Sequence, residues 1–142
     1  MKKILLLSGA LVVMALGYNW FATKKSANDI PNLQVEQKQT INATLNLEAN
    51  GQARSFSGNI ENGKSAADFV ILLTEKNNLQ LKTKEYTGMG ILVEGVNGVE
   101  NNNDEKKYWM FYVNGQMSQV GLSQYIVKNA DKISLKYEKS NF

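Results

Sequence analysis

The sequence predicts an α+β domain in which one amphipathic helix lies across antiparallel sheet. Three observations carry this. Residues 40–49, TINATLNLEA, alternate Ile41, Ala43, Leu45 and Leu47 with polar residues, the period of a half-buried strand. Ala66, Phe69, Val70 and Leu73 fall at i, i+3, i+4 and i+7, which gives residues 65–77 one apolar face at helical period. Residues 132–138, KISLKYE, alternate again through Ile133, Leu135 and Tyr137 and close the chain as a strand.

The elements between follow in order. Asn50-Gly51 makes a hairpin turn after the first strand, with ARSF, residues 53–56, as the returning strand. Asn62-Gly63 breaks the chain again, and Ser65 with Asp68 three residues later forms a capping box at the helix start. Leu79-Gln80-Leu81-Lys82 restores alternation. Gly88-Met89-Gly90 leads into ILVEGVNGV, a strand that ends on Asn97-Gly98. VENNNDEKK is a polar loop before YWMFYV, residues 108–113, which ends on Asn114-Gly115. Short extended segments are expected at Gln116–Val120 and Tyr125–Val127. The order is two strands, a helix, then four to six strands.

Residues 4–22, ILLLSGALVVMALGYNWFA, precede this domain and carry no charge. With Lys2 and Lys3 before them they form an export signal. The run exceeds a signal core of ~7–15 residues and approaches the ~20 that span a bilayer. Tyr18 and Trp20 stand at its far end, where an interfacial aromatic belt places them, while Ala15-Leu16-Gly17 is an acceptable cleavage site. Residues 1–27 therefore read as a signal peptide or an N-terminal membrane anchor, residues 28–39 as a polar linker containing Pro31, and residues 40–142 as the domain. The expected location is extracellular or at the cell surface. No lipid is attached through a thiol, because the chain has no cysteine.

The same composition bears on chemistry. Without cysteine there is no disulfide, zinc-thiolate site or thiol nucleophile. Without histidine the commonest general base and the usual metal ligand are gone. Catalysis is not expected. The pI near 9.0 does not signal nucleic acid either. Lys2, Lys3, Lys24 and Lys25 hold the basic excess, and residues 28–142 carry twelve basic against thirteen acidic side chains, interspersed. Counterion release from phosphates needs a basic stripe, and there is none.

Gly88-x-Gly90 is read as a turn, since ILV follows where a phosphate loop would lead into a helix. Asn101–Glu105 clusters oxygen ligands without the spacing of a calcium loop and is read as a solvated hairpin loop. Asn42-Ala43-Thr44 is a formal glycosylation sequon. Glu85, Tyr86 and Asp131 stand scattered, with no paired base. In YWMFYV alternation sends Trp109, Phe111 and Val113 to one face and Tyr108, Met110 and Tyr112 to the other. Trp109 and Phe111 are then core residues under the helix, or an aromatic platform for a flat ligand.

The order of landmarks adds to this reading. Gly90 opening one strand, Tyr108-Trp109, Asn114-Gly115, Val120-Gly121, Tyr125 and Asp131-x-Ile133 before Tyr137 resemble the transcobalamin-like C-terminal domain over residues 40–138. That family's fold is similar to a β-grasp, and in the cobalamin carriers the domain is half of a clamp over the vitamin. The resemblance implies a ligand-facing surface around Val93, Phe111 and Ser118, with Trp109 on the face of Phe111 and Gln119 in the Ser118 loop. Asn129-Ala130-Asp131 departs from the Asp-Gly-Asp that relatives often carry, and the helical partner domain is absent. The expectation is a non-catalytic ligand-binding module for cobalamin or another corrinoid, with a glycan or a peptide behind it, and with no cofactor or metal of its own. A partner surface protein would complete the site, and residues 4–22 would hold the membrane if uncleaved. The alternative is a structural or protein-interaction domain of the cell surface, pairing through an open sheet edge.

Overall fold

The computed structural model describes residues 38–140. The apolar segment 4–22 and nearly all of the linker lie outside the described residues. Among the described residues no helix is long and apolar enough to cross a membrane.

Strand β1 (Thr40–Ala49) turns at Asn50-Gly51 into β2 (Gln52–Glu61), and the two pair antiparallel along their whole length. Both turn residues are left-handed, with φ of +52° and +77°, as a two-residue hairpin twisted with its strands requires. The returning strand is longer than ARSF alone. Helix α1 (Ala66–Lys76) starts at the expected capping box. The Ser65 hydroxyl accepts from the Asp68 N–H at 3.1 Å, and the Ser65 N–H donates to Asp68 Oδ2 at 3.0 Å. Two further orphan amides at this end, those of Ala66 and Ala67, donate to Tyr125 and Leu122 carbonyls at 2.8 and 3.0 Å. Residues 125–127 thus serve the helix terminus and touch Ser65 only by one bridge from Ile126, rather than forming the expected strand.

Next come β3 (Leu81–Tyr86), β4 (Gly90–Val96), β5 (Val99–Glu100), β6 (Lys107–Val113), β7 (Gln116–Met117) and β8 (Lys132–Lys139). They build two sheets, of order β2-β1-β8-β6-β7 and β3-β4-β5. The antiparallel sheet expected from the sequence is mixed at its centre, where β1 and β8 run parallel with Leu45 beside Ile133 and Leu47 beside Leu135. Parallel neighbours need a long crossover, and residues 50–131 supply it.

The helix lays Phe69, Val70 and Leu73 on one face of the larger sheet, among Leu45, Ile133 and Leu135, all essentially without solvent contact. Each such side chain stabilises the fold by roughly 1.5–3 kcal/mol. Val93, Val96 and Trp109 extend this core under the smaller sheet.

Candidate functional site

Where β4 leaves β5 and passes β6, the two sheets part and leave a cleft of about 490 Å³. Consecutive residues of each strand line it, Ile91–Val93 on one side and Tyr108–Phe111 on the other. Side chains alternate across a strand, so consecutive lining residues mean that the cleft runs along strand edges rather than across a sheet face.

One side chain holds the edges in place. Asn101 Nδ2 donates to the Val93 carbonyl at 3.0 Å, and Asn101 Oδ1 accepts from the Trp109 N–H at 2.9 Å. Its own N–H donates to the Glu94 carbonyl at 2.8 Å. An amide is the side chain for this position, since it donates and accepts at once.

The floor is Val93, Leu122 and Trp109, all buried. The Trp109 indole lies tilted on Tyr137, ring centres 5.6 Å apart, and its Nε1 donates to the Val99 carbonyl at 2.9 Å. Phe111 is half-buried and meets Tyr125 edge-on at 6.1 Å. Val120 and Gly121 form the far wall. Leu92 and Val120 are exposed at the mouth. The Met89 carbonyl oxygen lies against Gly121, 3.3 Å from where a Cβ would stand, and the Met89 side chain is 65% exposed. Among the described residues, Lys106 is the one charged residue of the lining, at the polar end with Asn101 and Asn103.

Of the residues singled out in the sequence, Val93, Trp109 and Phe111 come together here. Val93 and Trp109 form the floor, and Phe111 keeps an exposed part. Ser118 and Gln119 are not in the lining; the Ser118 hydroxyl donates to the Val120 carbonyl at 2.8 Å and shapes its own turn. Ile91, Leu92, Asn101, Lys106 and Leu122 were not signalled. Leu92 alternates with Val93 on its strand and reads as an ordinary exposed position. Asn101 sits in a run of asparagines that reads as solvated loop.

Behind Phe111 lies a buried carboxylate. Asp131 accepts from the Tyr125 hydroxyl at 2.9 Å, the Lys128 N–H at 2.8 Å and Asn114 Nδ2 at 2.9 Å. Burial and the Asp131 bond hold the Tyr125 phenol above its ordinary pKa. This knot ties the β6–β7 turn to the start of β8, and through Tyr125 it steadies the ring edge against Phe111. It is placed for support. Among the described residues no group of three or more acidic side chains is arranged to hold a metal ion.

Fold and cleft together define a small mixed-sheet α+β module with an apolar cleft at its strand edges. The chain belongs to the family described as a domain of unknown function (DUF4430), which matches residues 63–139, from the end of the β1–β2 hairpin through β8. No curated protein matches. Among solved structures, haptocorrin in complex with Cbi is similar at 17% identity and a TM-score of 0.67. The likeness covers 72% of this chain and 26% of the haptocorrin chain, so this chain spans about a quarter of that protein. A protein from Ruminococcus gnavus ATCC 29149, described as a candidate metal-binding protein, is similar at 14% identity and a TM-score of 0.55. Here 70% of this chain covers 98% of the other. At these identities the likeness is one of fold.

Proposed function

We propose that this chain is an exported, non-catalytic ligand-binding module of the cell surface whose site is the β4–β6 cleft. Cobalamin or another corrinoid is the first candidate ligand. The observation that carries the reading is the meeting of Val93, on β4 of the smaller sheet, with Trp109 and Phe111, on β6 of the larger, in an apolar cleft of ligand size. The fold supports it, being shared with part of haptocorrin, which is known in complex with Cbi. We read the hairpin, the helix and the central parallel pair of β1 and β8 as a β-grasp arrangement of the transcobalamin-like kind.

A cleft of about 490 Å³ holds one edge of a large macrocycle and leaves the rest for another surface. The module is then half of a clamp, completed by a partner protein, with the apolar segment 4–22 exporting or tethering it.

Calorimetric titration with cobalamin and with Cbi tests this. Saturable binding is expected, weakened about tenfold by Phe111→Ala, which removes contact area worth roughly 1–2 kcal/mol. Trp109→Ala is a poor probe, because that side chain is core. Absence of heat with either compound at high micromolar concentration sinks the corrinoid reading.

A further inference from the structure

The walls of the cleft are strand edges, and their main-chain groups point to a second kind of occupant. Even-numbered positions around β6 bond toward β8, as the Asn114 N–H to the Lys132 carbonyl and the Ser140 N–H to the Lys106 carbonyl show, both at 2.8 Å. The odd-numbered residues of β6 therefore turn their N–H and C=O groups away from β8. Lys107 exchanges both with Asn102, and Val113 pairs with Gln116. The Trp109 N–H goes to Asn101 and the Phe111 carbonyl accepts from the Ser118 N–H at 3.0 Å. Among the described residues, the Trp109 carbonyl and the Phe111 N–H are left without a partner.

The facing edge repeats the pattern. On β4 the Ile91 N–H donates to Ser123 Oγ at 2.9 Å and the Val93 carbonyl accepts from Asn101. Both groups point away from β3, so by alternation the Ile91 carbonyl and the Val93 N–H do too. Among the described residues neither has a partner. Each wall thus offers one carbonyl and one N–H two residues apart, which is the pattern a paired strand meets. An apolar ligand without amides would fill the cleft and leave four main-chain groups dry, and each buried unsatisfied group costs about 1–3 kcal/mol.

We propose that the cleft binds a short extended peptide, which bonds main chain to main chain on both walls and joins the two sheets through itself. The unpaired stretch of each wall suits about two to four residues at ~3.3 Å per residue. Trp109, Leu122 and Val93 below, with Leu92 and Val120 at the mouth, favour small apolar side chains on it. Lys106 accepts an acidic end and opposes a cationic one. This occupant shares the cleft of the preceding proposal and does not depend on a corrinoid binding there.

The test is nuclear magnetic resonance of the whole chain with acetyl-Val-Thr-Val-amide, and with the same peptide N-methylated at its internal amides. In the peptide-free chain the Phe111 and Val93 amides should exchange with solvent faster than those of Met110 and Tyr112, which bond β8. The peptide should slow both, and N-methylation should weaken binding roughly tenfold or more. Leu92→Lys should also weaken it, at an exposed position where the fold is not at stake. Protection of both amides without peptide, or equal binding of the methylated peptide, overturns the proposal. Cobalamin binding with no peptide binding overturns it as well, whereas peptide binding without cobalamin binding supports it and sinks the corrinoid reading.

Discussion

Gly90 carries φ of +81°, and a Cβ there would lie 2.4 Å from the Ser123 side chain, whose hydroxyl accepts the Ile91 N–H. Left-handed backbone and contact exclude any other residue at the entry to β4. Gly90→Ala should lose about 2–4 kcal/mol, the upper part from displacing Ser123. Gly51→Ala, equally left-handed but facing open space, should lose only about 1 kcal/mol. Urea midpoints of the two variants separate strain from contact. On the outer face of the larger sheet, the Tyr112 hydroxyl donates to Glu138, and that bond, with lesser burial and charge effects, pushes the phenol from 10.0 up to about 12. Its folded pKa is the higher one, so the contribution is complete below pH 10 and is lost as pH rises through about 12. A tyrosinate absorbance titration should show late ionisation from Tyr112 beside the raised Tyr125 phenol, and Glu138→Gln should move the Tyr112 step earlier.

At the scale of elements the helix N-terminus is the informative case. Asp68 is held below its ordinary pKa of 3.8, first by the Ser65 N–H and then by the Ser65 hydroxyl. Its contribution is therefore present above pH 3.8 and is lost as pH falls through the lowered value. Ser65→Ala should cost about 1 kcal/mol. It should also raise the Asp68 pKa part of the way back, readable from its carboxyl chemical shift during acid titration. The same helix end holds residues 122–125 through the Ala66 and Ala67 amides, so the wall of the cleft is fastened to the element that carries the core.

For the whole molecule, the decisive side chain is Asn101, which links the two sheets at the head of the cleft. Asn101→Ala removes two hydrogen bonds and leaves the Val93 carbonyl and the Trp109 N–H unsatisfied, so a loss of about 2–3 kcal/mol is expected. Asn101→Asp keeps the acceptor for Trp109 and sets a negative charge against the Val93 carbonyl, and should be no milder. Chemical denaturation distinguishes this from a solvated loop position, where either change would be nearly neutral. The family match and the likeness to part of haptocorrin belong to this scale as well, since they describe how the elements are arranged.

What the sequence by itself determined was whatever a periodicity or a local turn encodes. The helix with its Ser65–Asp68 box, β1, β4, β6 and β8, and the left-handed Asn-Gly turns at 50–51, 97–98 and 114–115 are all legible, because each depends on residues within a few positions. Alternation at Leu79–Lys82 places β3 too early in the chain, since Lys82, Thr83 and Lys84 are all exposed and carry no apolar period. Of the candidate cleft's lining, Val93, Trp109 and Phe111 are singled out by the family resemblance and the aromatic run, while Ser118 and Gln119, singled out with them, lie outside it. The tertiary structure alone decided that β1 and β8 run parallel, that residues 122–125 cap the helix, and that Asn101 leaves its polar loop to bridge two edges. It alone decided which main-chain groups of β4 and β6 stay unpaired. These are contacts between residues far apart in the chain, set by how two sheets part over one core, and no local pattern records them.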